Sequence, residues 1–183
     1  VLIEGKRKDS EPFVEEILSV VTRIIESNPN EKERQHALKL ARTAFAMPYG
    51  DKSDLINRLI QLPGPVSEKN GILTALATAG EELNGELLLQ GIQELFEEAE
   101  QPNKQRMLQD QNGYRIRIWL TLLPFSDKPE AVIDVFKRFR EKNPHASNPW
   151  NMTYLSSALG YSPHPNALNV LKQLAEIEPG FLT

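Results

Sequence analysis

The residues whose types could do chemistry are three histidines, an acidic run of seven glutamates and one glycine-x-serine step. His36, His145 and His164 lie far apart. No two fall within four residues of each other, so nothing in the spacing sets two imidazoles on one helical face around a metal. Cysteine is absent, which removes thiolate zinc sites, iron–sulfur clusters, disulfides and cysteine nucleophiles. Gly160-x-Ser162 lacks the closing glycine of a nucleophile elbow, and no strand precedes it. Ser162 before Pro163 reads instead as a turn or helix-cap residue. Gly5-Lys6 is a lone dipeptide outside any Gly-x-x-x-x-Gly-Lys-Ser/Thr phosphate loop. No catalytic residue, cofactor site or metal site is expected.

Charge is distributed in blocks. Glu81, Glu82, Glu86, Glu94, Glu97, Glu98 and Glu100 form an acidic segment without lysine or arginine. Paired acid/base catalysis needs carboxylates held in a pocket that separates their pKa values; a helix carrying these residues predicts a solvated acidic face. The counterpart is basic: Lys104, Arg106, Arg115, Arg117, Lys128, Lys137, Arg138, Arg140 and Lys142. Faces of this kind bind nucleic-acid backbones through salt-dependent phosphate contacts. Against that, Asp134 and Arg138 are spaced to pair along one helix, and Arg115 and Trp119 to stack. The overall net charge is −4 and the pI near 5.5, which does not favour a dedicated nucleic-acid binder.

Aromatic residues give a third lead. Trp150, Tyr154 and Tyr161 lie in residues 143–183, where Lys172, Glu176 and Glu178 are the only acidic or basic side chains apart from histidine. Trp150 and Tyr154 share a helical face and could anchor a partner. Equally, they could fill a groove between helices.

The elements that must position these residues are helical. The chain has 183 residues, 40% of them hydrophobic and 25% charged, in the range of one folded domain. Phe13, Ile17, Leu18, Val21, Ile24 and Ile25 make an apolar stripe over 11–27, with Pro12 suited to the first turn. Ala37, Leu38, Leu40, Ala41, Ala44 and Phe45 make another over 30–47. Helices are also predicted over 53–62, 67–79, 84–100, 105–123, 129–142, 148–159 and 164–177, with start signals at Ser67, Asp127 and Asn148. Arg115-Ile116-Arg117-Ile118-Trp119 alternates like a strand, but no second strand is available and apolar residues continue without a turn, so it is read as helix. No apolar run reaches the length of a membrane span. The chain begins with Val1, and a piece of a longer cytoplasmic protein is expected.

An internal repeat organises these helices. Pro48-Tyr49-Gly50-Asp51-Lys52-Ser53 resembles Pro124-Phe125-Ser126-Asp127-Lys128-Pro129, which resembles Gly160-Tyr161-Ser162-Pro163-His164-Pro165. After a one-residue slip, Asp134-Val135-Phe136-Lys137-Arg138-Phe139 matches Asn169-Val170-Leu171-Lys172-Gln173-Leu174. A fainter copy begins near Gly80, so the turns fall near 48, 80, 124 and 160. A helical hairpin cannot bury its own apolar face, and stacked hairpins make a solenoid. The uneven spacing and the missing tetratricopeptide and ankyrin signatures fit HEAT- or armadillo-like pairs. The expected fold is all-α: one right-handed α-solenoid domain over 1–183, of about four and a half hairpins. The second helix of each pair would line the concave side, bringing Asn57, Arg58, Gln61, Gln90, Gln93, Lys137, Arg138, Lys172 and Gln173 into one polar row. Such a row suits an extended protein segment better than a small apolar ligand.

The segment Gly160-x-Ser162-Pro163-x-Pro165-x-Ala167-x-x-Val170-Leu171-x-x-Leu174-Ala175-x-x-x-Pro179-x-Phe181-Leu182 resembles one common in the C-terminal helical repeats of bacterial NACHT-type (STAND) signal-transduction NTPases. The resemblance implies a sensor: repeats that bind a ligand or partner and bias a nucleotide-binding switch. The phosphate loop of that switch is not among these residues, so the switch would lie outside them. The function expected is non-catalytic recognition of a protein or peptide, with Trp150 and Tyr154 as further partner-binding candidates beside the polar row. The alternative is a HEAT-like module that binds nucleic-acid backbones.

Overall fold

A computed structural model describes residues 2–27, 29–47, 52–101, 107–142 and 149–178. Its elements are helical: α1 (Leu2–Glu26), α2 (Glu31–Ala46), α3 (Lys52–Ile60), α4 (Asn70–Thr78), α5 (Gly85–Glu100), α6 (Met107–Leu122), α7 (Ala131–Lys142), α8 (Pro149–Tyr161) and α9 (Ala167–Ile177), with 3-10 turns at Val66–Glu68 and Leu123–Phe125. The fold is all-α, and the only β contact among the described residues is one isolated bridge between Leu83 and Ser126. No helix among them is long and apolar enough to cross a membrane. The chain divides into two compact units, Val1–Ala79 and Gly80–Thr183. The division falls at one of the expected turns, where Gly80 takes a left-handed φ of 85° just past the end of α4. Glycine adopts that conformation without the steric cost a Cβ would add.

In residues 1–79, α2 packs against α1 and α4. A capping box starts it: the Glu33 amide donates to Asn30 Oδ1 and the Asn30 amide to Glu33 Oε2, both at 3.0 Å. Val14, Leu18, Val21, Ala37, Ala41, Leu55, Leu59, Leu73 and Leu76 are buried. Three expectations need correction here. Helix α1 starts at Leu2, so Pro12 is interior rather than in the first turn. Residues 2–10 carry no apolar stripe to announce a helix, and Pro12 removes only one ladder donor, a cost of about 3 kcal/mol. Phe13 and Leu40, assigned to buried stripes, are 60% and 37% exposed; they sit at the margins of arcs whose centres already meet a neighbour. Ser67 does not cap a helix: it is buried in the 3-10 turn, and α4 begins at Asn70.

In residues 80–183, α5 packs on α6, α6 on α8, α7 on α9 and α8 on α9. The stretch with strand-like alternation is the last half of α6, and helical spacing sorts it: Ile116, Trp119, Leu120 and Leu123 are buried while Arg115, Arg117 and Ile118 are half-exposed. Trp119 lies over Gly91, where an added Cβ would fall well inside contact distance of the indole ring.

The repeat read from the sequence is visible in the turns. The Lys128 amide donates to Ser126 Oγ and the His164 amide to Ser162 Oγ, each at 3.1 Å. Three residues further on, Ala131 N–H donates to Lys128 O and Ala167 N–H to His164 O, at 3.2 and 3.1 Å. Each turn also rests on the one before. Leu83 N–H donates to Phe125 O and Asp127 N–H to Leu83 O, at 2.9 and 3.2 Å; Ser162 Oγ donates to Pro124 O. Asp127, expected to start α7, instead accepts from the Gly85 amide at 2.6 Å and caps α5. A Cβ at Gly85 would come within 2.7 Å of that carboxylate. The one-residue slip is real too: Leu88, Gly91 and Leu95 of α5, Val132, Val135 and Phe139 of α7, and Ala167, Val170 and Leu174 of α9 are the matching buried positions. The turn at 48 and the cap at Asn148 lie outside the described residues.

Candidate functional site

Second helices α5, α7 and α9 supply most of the polar row. Once the buried positions are matched, the exposed ones match as well. Gln90, Asp134 and Asn169 occupy one equivalent position, Gln93, Lys137 and Lys172 the next, and Glu97, Glu141 and Glu176 the third; all nine are exposed. Helical spacing of three and four residues puts the three positions on one outward stripe of each helix. Along α5 the stripe is internally tied, with Gln90 donating to Glu94 at 3.1 Å and Gln93 to Glu97 at 2.6 Å. Gln173 of α9 is exposed beside Lys172.

Arg138 belongs to the same row but is directed elsewhere. Instead of pairing with Asp134, it donates to Gln93 Oε1 at 2.6 Å and its guanidinium lies 4.1 Å from the centre of the buried Phe96 ring. Its neighbours do likewise. Lys128 binds Glu86, Lys142 binds Glu100, and Arg115 binds Glu98 at 3.0 Å. The acidic segment is therefore not simply a solvated face, and the basic segment is not a free cationic one: each is largely the other's counter-charge. Lys142 holds the Glu100 carboxyl below its usual range, and Glu86 raises the Lys128 ammonium above its own. Sequence spacing missed this because the partners lie on different helices. Arg115 does not stack on Trp119, which is fully buried. Arg140 pairs with Glu178 at 2.9 Å, tying α7 to the end of α9.

Asn57, Arg58 and Gln61 lie on α3 in the other unit. Asn57 and Gln61 are exposed, while Arg58 forms a two-pronged ion pair with Glu15 at 2.6 and 2.7 Å and approaches Asp54 at 3.6 Å. That pair borders an open groove of about 270 Å³ lined by Leu18, Ser19, Thr22, Arg23 and Leu62. The groove lacks the converging buried polar groups by which a pocket fixes a small ligand.

Of the aromatic candidates, Tyr154 is 51% and Tyr161 83% exposed; the side chain of Trp150 lies outside the described residues. His36 is exposed and His164 turns its Nδ1 to the Asn166 amide at 3.2 Å, a structural role. No group of three metal-ligating side chains occurs among the described residues. Two buried polar atoms, Arg117 Nε and Trp119 Nε1, have no hydrogen-bond partner among them. Burial lowers the Arg117 pKa, and its guanidinium sits 5.7 Å from the centre of the Phe139 ring.

One polar cluster escaped the sequence reading altogether. Ser67, Glu68 and Lys69 are buried in consecutive positions. Arg34 grips Glu68 with two bonds of 3.0 and 2.8 Å and donates a third to Pro29 O, while Lys69 Nζ donates to Ile60 O at 2.7 Å. Glu68 raises the Arg34 pKa through these bonds. Every charge in the cluster has a protein partner, so it works as an anchor for the loop between α3 and α4. A capping serine followed by a glutamate was the signal misread there. No protein-family model matches the chain, and neither a curated protein nor a solved structure matches it.

Proposed function

We propose that this chain is a HEAT/armadillo-like α-solenoid of about four and a half hairpins that recognises a protein segment and carries out no catalysis of its own. The observation that carries the proposal is the register of exposed polar positions on α5, α7 and α9: three equivalent positions, repeated on three helices, all facing water. Adjacent packed helices lie roughly 8–10 Å apart, and an extended peptide rises about 3.3 Å per residue. A segment crossing the helices therefore meets an equivalent position about every third residue, and a long ligand can be read by repetition. The resemblance of residues 160–182 to repeats of NACHT-type NTPases places this recognition in a cytoplasmic sensor, where partner binding biases a separate nucleotide switch by its differential affinity for two states.

The nucleic-acid alternative has less to stand on. Arg115, Lys128, Arg138 and Lys142, four of its expected cations, are engaged by α5.

Photo-crosslinking amino acids placed singly at Gln93, Lys137 and Lys172 test the proposal in the parent cell lysate. The expected result is one shared crosslinked protein from all three positions and none from a control at Ser157. Crosslinks to unrelated proteins at each position, or equal yield from the control, would overturn it. Retention on duplex or single-stranded DNA that falls steeply with salt would favour the alternative.

A further inference from the structure

We propose that the outward side of the α8–α9 hairpin is a self-association surface, covered in solution by the same surface of a second copy of this chain. In each second helix a further apolar stripe flanks the central buried one. In α5 it is Leu89, half-buried, with Ile92 and Phe96 at 2% and 0% exposure; in α7 it is Ile133, half-buried, with Phe136 at 5%. Helix α9 packs on α7, and Arg138 of α7 lies on Phe96 of α5. In α9 the same positions are Leu168, which is 63% exposed, and Leu171, which is half-buried. The side chains the repeat elsewhere covers with its next helix are here open to water.

Helix α8 adds to the same hairpin. Tyr154 and Tyr161, seven residues apart on one helical face, are 51% and 83% exposed. Contiguous exposed apolar and tyrosine surface marks an interaction site on soluble proteins.

Charge selects the occupant. Helix α8 contains no Asp, Glu, Lys or Arg. On α9, Lys172 and Glu176 belong to the exposed polar stripe, and Glu178 is paired with Arg140. A second copy brought up face to face therefore meets tyrosine and leucine without like-charge repulsion. A two-fold arrangement uses one patch twice and closes after two copies, the commonest form of homo-oligomer. This inference stands apart from the recognition proposal, because the polar stripe is a different side of α9.

Sedimentation of the full chain from low micromolar to several hundred micromolar tests it. The expected result is a shift from monomer to dimer mass that is lost in Leu168→Glu and in Tyr161→Glu. Both variants replace exposed side chains, so their helicity and dilute-solution unfolding midpoint should match the parent. Phe13→Glu, at an exposed phenylalanine of the other unit, should leave the dimer intact. A monomer at every concentration overturns the proposal and leaves the face to another protein's helices. A dimer insensitive to both α8–α9 variants overturns it as well, and so does growth beyond a dimer, which would reveal a non-closing contact.

Discussion

Residues 1–79 and residues 80–183 are built from the same material, short amphipathic helices joined by tight turns, yet they are held by different devices. In residues 80–183 the device repeats. A serine two residues before each acceptor amide shapes the turns at Ser126 and Ser162, and each turn hydrogen-bonds to the preceding one. Charges between second helices run in the same sense from α5 to α7, with glutamate on the earlier helix and lysine on the later. In residues 1–79 the device is singular: three buried polar residues in one 3-10 turn, locked by Arg34. Where the tertiary contact repeats, the outward positions fall into register as a consequence, and a repeated surface becomes available for recognition. A single anchor stabilises its own loop and generates no such surface.

The largest expected effects test whether the repeating half depends on close helix approach. Trp119→Ala should cost about 3–5 kcal/mol by opening a cavity at a fully buried site. Gly91→Ala should cost about 1–3 kcal/mol by forcing a methyl into the space the indole occupies. Both losses are read from urea unfolding, with hydrogen exchange reporting the amides of α5 and α6. A neutral Gly91→Ala would mean that α5 and α6 can separate without penalty.

Next comes the singular anchor. Glu68→Gln keeps the shape but leaves the Arg34 guanidinium without its counter-charge. With Arg34 at 25% side-chain exposure, the full cost of breaking a buried pair must be discounted for solvent, to about 1–3 kcal/mol. Faster exchange should appear around residues 60–72. Unchanged exchange there would show that the 3-10 turn holds without the ion pair.

Smaller effects should follow at the repeated turns. Ser126→Ala removes both a bond to Leu123 O and the acceptor for the Lys128 amide at a site only 1% exposed, a loss of about 1 kcal/mol. Ser162→Ala should cost a similar amount if the two turns are equivalent, and a large disparity in unfolding midpoint would break the equivalence.

The smallest effect concerns the charges between second helices, which are solvent-exposed. Glu100 has a lowered pKa in the folded chain. Its contribution is present above the ordinary carboxylate range and disappears as pH falls through the folded value. Lys128 has a raised pKa, so its contribution is present below the ordinary lysine range and disappears as pH rises through the folded value. Thermal midpoints should therefore plateau between these ranges and dip at both ends. Glu100→Gln should flatten the acid dip alone; an unchanged profile would show that this pair adds nothing.

Much of the fold was legible because helix formation is governed by local periodicity. The apolar spacing at Ile116, Trp119 and Leu120 overrode an alternating pattern, and the likeness of Ser126-Asp127-Lys128 to Ser162-Pro163-His164 corresponds to one turn geometry. The exposed members of the row on α5, α7 and α9 were legible for the same reason, since a helix with one buried stripe presents the opposite stripe to water. The partners of charged side chains were not. Spacing along α7 offered Asp134 to Arg138, and only the neighbouring helix decided that Arg138 lies on Phe96.

The sequence by itself determined which segments are helical, where the hairpins turn and which face of each helix is apolar, because these depend on residues three or four apart. Tertiary structure alone decided that the acidic and basic segments neutralise each other, that Asp127 caps a helix other than its own, and that three consecutive polar residues are buried at 67–69. Those outcomes join residues far apart in the chain, and a charge or a hydrogen-bonding group takes whichever partner the packing of apolar faces brings within about 3 Å.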